Sequence, residues 1–250
     1  MDIVIDIGNT SIACGLYDNN KLIKKFRMPS DKNLTAYDYY NLIPDEVNDK
    51  LEGGIIGSVV DGLSAKIIEA FKKKCNIDLI ELYGSSNMPV KLITKNLNSV
   101  GADRIANAVR AYNLYGGKPV IVVDYGTATT FDIITKDGEF IGGLIAPGIL
   151  TQIKSLNLLT DKLPEIEIED IKSAIGRNTK DSILAGIILG TACMTEGMLQ
   201  KCEDELGSEA VVVLTGGLSG IVSIYITRTI DLVDENFTLD GLRDLYNINK

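Results

Sequence analysis

One pattern occurs twice in this chain, and it limits the possible folds more than any other feature. Residues 3–17 read IVIDIGNTSIACGLY and residues 121–134 read IVVDYGTATTFDII. Each is an apolar β-strand ending on an aspartate, then x-Gly-x-x, then a second apolar strand. A run of β-branched residues reads as a buried strand, and the glycine allows a tight turn between two of them. Asp6 and Asp124 stand about half of the 250-residue chain apart, so the natural inference is an internal duplication.

The flanking segments repeat as well. In the first half, the Asp18-Asn19-Asn20 turn leads to a strand at 21–28. A polar helix at 35–43, a strand at 54–59, a helix at 62–74 and a strand at 78–82 follow. In the second half, a strand at 129–135 turns at Asp137-Gly138 into a strand at 139–143. Helices at 148–158 and 180–204, strands at 211–214 and 229–233, and a final helix at 238–247 complete it. Each half reads β-β-β-α-β-α-β, with the last helix outside the repeat. Gly116-Gly117 breaks a helix at the join, which divides the chain into 1–116 and 117–250. Two related α/β domains facing each other across a cleft are expected. No G-x-G-x-x-G or G-x-x-x-x-G-K-[ST] is present, against a Rossmann or a Walker site.

The chain contains no histidine, which excludes imidazole bases, Ser–His–Asp triads and zinc sites built on histidine. Protons removed near neutral pH must go to a carboxylate, lysine, tyrosine, cysteine or water. The net charge of −9 and the absence of a basic stripe argue against nucleic-acid binding; the longest basic run is Lys72–Lys74, at a helix end. The four cysteines form no C-x-x-C pair and read as buried thiols of a reducing compartment. No signal peptide is evident, and the most apolar stretch, Ile183–Met194, falls short of the ~20 residues a membrane span needs. A cytoplasmic protein with no membrane association is expected.

Asp6-Ile7-Gly8-Asn9-Thr10-Ser11 makes a hairpin whose N–H groups and hydroxyls can face a phosphate, with the carboxylate holding Mg²⁺ through water. An ordinary β-hairpin with a turn-stabilising aspartate is the alternative, and the second copy, Asp124 to Thr130, weighs against it. Asp132 lies in opposite register to Phe131 and Ile133 and is placed facing the cleft. Gly101-Ala102-Asp103-Arg104 opens a helix. Asp103 there either complements the helix dipole or, if this histidine-free chain deprotonates an alcohol, accepts the hydroxyl proton as an aspartate does in kinases. Arg104 beside it offers a planar fork. Gly142 to Gly148 and Thr215-Gly216-Gly217 read as plain turns, and Asn178 or Thr179 as either an N-cap or a polar ligand.

Together these positions resemble the superfamily of acetate kinase, sugar kinases, heat-shock chaperones and actin, and more narrowly the type III pantothenate kinases. The matching runs are D-I-G-N-T at 6–10, G-A-D-R at 101–104, D-Y-G-T-A-T-T at 124–130, G-G-x-I-x-P-G at 142–148, I-G-R-N-T at 175–179, T-G-G at 215–217 and L-x-G-L at 239–242. The resemblance implies two ribonuclease H-like (actin-like) domains around a nucleotide cleft, and ATP-dependent phosphorylation of pantothenate to 4′-phosphopantothenate, the first step towards coenzyme A. By the same resemblance, Asp6, Ile7, Gly8, Asn9, Thr10, Ser11, Ile12 and Ala13 bind the ATP phosphates, and Asp6 the divalent metal. Asp103 is the general base, in a substrate site lined by Gly101, Ala102 and Arg104. Asp124 ligates a monovalent cation (K⁺ or NH₄⁺), and Thr127 contacts ATP. Thr179 touches pantothenate from the partner subunit of a homodimer, for which the apolar helix 183–199 suits an interface or, equally, an intrachain core. The run 94–100 departs from the family, having neither the proline nor the aromatic usual before G-A-D-R. The alternatives are a relative acting on another alcohol or on polyphosphate, and a non-catalytic regulator that keeps the ATP fold.

Overall fold

A computed structural model describes residues 1–47, 51–96, 99–159 and 166–250. The chain divides into two compact units, Met1–Leu114 with Phe237–Lys250, and Tyr115–Asn236.

The first unit starts with three antiparallel strands, β1 (Asp2–Ile7), β2 (Ser11–Asp18) and β3 (Lys21–Pro29). Asn19 and Asn20 both adopt positive φ (47° and 66°), the conformation that a two-residue hairpin loop requires. Helix α1 (Ala36–Leu42) opens on a capping box between Thr35 and Asp38. Strand β4 (Gly53–Ser58), helix α2 (Leu63–Cys75), strands β5 (Leu79–Glu81) and β6 (Lys91–Leu92), and helix α3 (Ala102–Tyr115) follow. The sheet order is β3-β2-β1-β4-β5, with β4 and β5 parallel to β1. Alternation decides its two faces. Ile3, Ile5, Ile7, Ile12, Cys14 and Leu16 form one core with Leu63, Ile67 and Phe71 of α2. Asp2, Val4 and Asp6 point the other way.

The second unit repeats this plan. Strands β7 (Val120–Tyr125), β8 (Ala128–Ile134) and β9 (Glu139–Pro147) are antiparallel neighbours, and β10 (Val211–Thr215) and β11 (Leu232–Val233) run parallel to β7. Read as β9-β8-β7-β10-β11, the order of these five strands matches that of the first unit. Helices α4 (Ile149–Leu159), α5 (Thr179–Leu206) and the short α6 (Ser219–Ser223) cover one face, packing Ile149, Ile153, Leu184, Ile188 and Val222 on Val123, Phe131 and Leu214.

Several expectations need correction. The final helix, α7 (Phe237–Asn249), belongs to the first unit, not to a second domain running 117–250. It lies on β1, β2 and β4, where Gly53 leaves room for Tyr246; a Cβ at Gly53 would sit 2.5 Å from the Tyr246 hydroxyl oxygen. The glycine run at 142–148 is mostly strand, because β9 continues through a bulge with Gly142 at φ 120°. The strand expected at 229–233 shrinks to Leu232–Val233. Asp132 is completely buried. Cys193 is exposed, unlike buried Cys14. Helix α5 contains an 18-residue window of mean hydropathy 1.5, long and apolar enough to cross a membrane, and 44% of that window is buried within the fold.

Candidate active site

In the first unit, the β1–β2 hairpin closes with the Gly8 N–H donating to the Ser11 carbonyl at 3.1 Å, which leaves Asn9 and Thr10 exposed at its tip. Asp6 precedes this turn and is half-buried, paired in register with Ala13. Burial pushes the neighbouring Cys14 thiol well up, and the Asp6 carboxylate adds to the rise. The thiol is therefore inert and stays a packing group. One contact escaped the sequence reading: Arg27 of β3 donates from Nη1 to the Ser11 hydroxyl at 2.9 Å.

Gly101 caps α3 through its carbonyl, which accepts the Ile105 N–H at 3.1 Å. A Cβ on Gly101 would lie 2.4 Å from Asp103 Oδ1, so only glycine leaves that carboxylate where it stands. Gly57, at the end of β4, serves the next residue similarly; a Cβ there would reach 2.9 Å from the Ala102 Cβ. The first turn of α3 is thus seated at the carboxyl ends of the parallel strands, where open α/β sheets place ligands. Asp103 Oδ1 accepts the Arg104 N–H at 2.8 Å. Its carboxyl is shifted above the ordinary carboxylate value, because desolvation by burial outweighs that hydrogen bond and the Arg104 charge. Leu97 and Asn98, in the run that departs from the family, lie outside the described residues.

In the second unit, the corresponding turn is one residue shorter, and the Gly126 N–H donates to the Ala128 carbonyl at 3.0 Å. Asp124 and Tyr125 point to opposite faces. The Tyr125 hydroxyl reaches Thr195 at 2.9 Å within the core, where burial pushes it up to about 12. Two glycine turns read as plain prove to be backbone contacts to this hairpin. A Cβ on Gly148 would lie 2.2 Å from the Gly126 carbonyl oxygen, and the Gly148 N–H and the Thr151 hydroxyl both donate to the Thr127 carbonyl, at 3.1 and 2.6 Å. Gly216 sits at φ 87°, and a Cβ there would come 2.4 Å from Asp124 Oδ1.

Gly216→Ala is therefore expected to destabilise the fold by about 1–3 kcal/mol in urea unfolding. Gly217→Ala should leave the midpoint in place, since no described atom lies within 4 Å of a Cβ there.

The residues fit the groups that the resemblance implies. Among the described residues, no three His, Cys, Asp or Glu side chains gather as a metal cage. A half-buried carboxylate such as Asp6 beside a turn is what Mg²⁺ uses when phosphate and water supply its other ligands. Near Asp124, the Thr215 hydroxyl is fully buried, lies in register on the adjacent strand and has no hydrogen-bond partner among the described residues. An oxygen left over beside a carboxylate suits a weakly demanding cation.

Asn178 is the N-cap of α5, accepting the Asp181 N–H at 2.9 Å. Thr179 is exposed beside it, on a groove of about 670 Å³ lined also by Arg177, Ser182, Ile183 and Gly186. Gly176 makes the groove's corner; a Cβ there would lie 2.2 Å from the Ser182 nitrogen.

Comparison with known proteins agrees over the full length. The family model described as type III pantothenate kinase matches residues 2–201. A type III pantothenate kinase of Moorella thermoacetica is 38% identical over 100% of both chains, and one of Agathobacter rectalis is 37% identical over 98% of this chain and 96% of its own. Among solved structures, the activator of 2-hydroxyisocaproyl-CoA dehydratase from Clostridium difficile, with bound ADPNP, superposes with a TM-score of 0.53 at 13% identity, over 99% of this chain and 96% of that one. A ROK family glucokinase from Streptomyces griseus, in complex with glucose and AMPPNP, gives 0.52 at 14% over 98% of each. These two likenesses establish the duplicated actin-like fold. The sequence matches establish the rest: the chain is a kinase and belongs to the type III pantothenate kinase family.

Proposed function

We propose that this chain transfers the γ-phosphoryl group of ATP to the 4′-hydroxyl of pantothenate, with Asp103 as general base. The half-buried Asp103 carboxylate carries the reading. It is held by the Arg104 N–H at 2.8 Å, on a helix turn that Gly57 and Gly101 seat at the strand ends. Phosphoryl transfer asks a protein mainly for positioning and charge, which a chain without histidine can supply. Asp103 accepts the hydroxyl proton, while Gly101, Ala102 and Arg104 hold the substrate around it. Residues 6–13 bind the phosphates of ATP through the turn N–H groups and hydroxyls. Asp6 holds Mg²⁺, which supplies charge compensation when bound. In the second unit, Asp124 ligates K⁺ or NH₄⁺ and Thr127 contacts ATP. The exposed Thr179 reaches pantothenate from the partner subunit of a homodimer. The setting is cytoplasmic, with no nucleic acid or membrane as partner.

ADP formation measured with and without pantothenate, in K⁺, NH₄⁺ and Na⁺ buffers, tests this reading. Pantothenate-dependent ADP that rises in K⁺ or NH₄⁺ is the expected result. ADP formation indifferent to pantothenate would overturn it. Identification of the phosphorylated product separates this substrate from another alcohol.

A further inference from the structure

Arg27 stands on an exposed edge strand among Lys24 and Lys25, where charged residues ordinarily only keep a strand soluble. Strand register gives it a different context. Asp6 of β1 pairs with Ala13 of β2, and Ala13 pairs with Arg27 of β3, so the three side chains form one row on one face of the sheet. The middle member is only a methyl group, the smallest side chain that can stand between a carboxylate and a guanidinium. That row borders the Gly8–Ser11 turn. Arg27 Nη1 already reaches into it, at 2.9 Å from the Ser11 hydroxyl. Both charges are felt by the same neighbour: Asp6 raises the buried Cys14 thiol and Arg27 lowers it.

We infer that Arg27 is a phosphate ligand of the first loop, donating to the β- or γ-phosphate of ATP while Asp6 faces the metal on the other side of Ala13. The inference rests on the reading of residues 6–13 as the ATP loop. A chain of net charge −9 that takes up a polyanion needs a cation at the point of contact, and a guanidinium matches phosphate oxygens with two parallel N–H donors. Ser11 holds the fork beside the turn until phosphate oxygens take over the Arg27 donors.

Calorimetric titration of the full chain with AMPPNP and with adenosine, in the presence of Mg²⁺, tests this. For Arg27→Met, AMPPNP affinity is expected to fall ~10- to 30-fold while adenosine binding stays as in the wild type. Arg27→Lys should recover part of the loss, because it restores charge without the fork. Lys24→Met is the control. It removes the same charge from the opposite face of β3, where Lys24 pairs with Glu46. An unchanged AMPPNP affinity in Arg27→Met, or an equal loss for adenosine or in Lys24→Met, overturns the assignment. Wild-type chain that binds adenosine but gains nothing from the phosphates overturns the loop reading itself, and Arg27 with it.

Discussion

Asp103→Asn is expected to lower kcat by ~100-fold or more, because the amide cannot accept the hydroxyl proton. The fold should survive, since Asn fills the same volume and its side-chain oxygen can accept the Arg104 N–H as Asp103 Oδ1 does. A second readout separates a base from a structural carboxylate. Burial holds the Asp103 proton more tightly in the folded chain than the ordinary value of 3.8, despite the Arg104 N–H and charge. A group raised in this direction contributes stability that is fully present below its unfolded value and is lost as pH rises through the folded one. At neutral pH the ionised Asp103 therefore costs the fold stability. Asp103→Asn should unfold at a higher temperature than the wild type at pH 7, and the gap should close as pH falls toward 3.8. A variant with near-normal turnover removes Asp103 from the role. A variant that loses turnover but is less stable at pH 7 makes the carboxylate structural instead.

The pH profile carries the same information. With no histidine in the chain, an acidic limb of kcat must follow a carboxylate or the phosphates of ATP. Asp103 places its limb above the usual carboxylate range, and the limb should vanish in Asp103→Asn while residual activity remains.

How much of this was present in the sequence depends on the distance over which each contact acts. The duplicated hairpins, the Asn19-Asn20 turn and the Asn178 cap are local, and local residue chemistry predicts each of them. The partners of Gly148, Gly216 and Gly241 are set by register and helix approach, so a glycine in a loop or helix motif gave no sign of what it touches. Arg27 was hidden for the same reason, because K-K-F-R reads as a soluble edge until pairing puts Arg27 in line with Asp6. Asp132 failed in the opposite way. Alternation assigned its face correctly, yet alternation says nothing about whether that face is open, and Asp132 is fully buried. The destination of α7 was invisible as well, since its apolar stripe fits any sheet.

Gly241 explains that destination and carries the largest stability prediction. A Cβ there would lie 2.1 Å from the Ala106 carbonyl oxygen and 2.6 Å from its carbon, so α7 and α3 meet backbone to side-chain-free backbone. Around that contact, Arg110 pairs with Asp240 at 3.1 Å and Asp244 at 3.3 Å, and the Thr238 hydroxyl donates to buried Asn107 at 2.9 Å. These residues hold the body of the helix whose first turn presents Asp103. Backbone cannot rotate out of the way as a side chain can, so Gly241→Val must push the two helices apart. The expected cost is about 3 kcal/mol or more, read as a fall in the urea midpoint. Turnover should fall with it under conditions where the variant is still folded, because shifting α3 moves Asp103 away from the hydroxyl it serves. A variant with the wild-type midpoint contradicts the close helix contact. One that is destabilised yet turns over normally when folded shows that α7 holds up the unit without setting the position of Asp103.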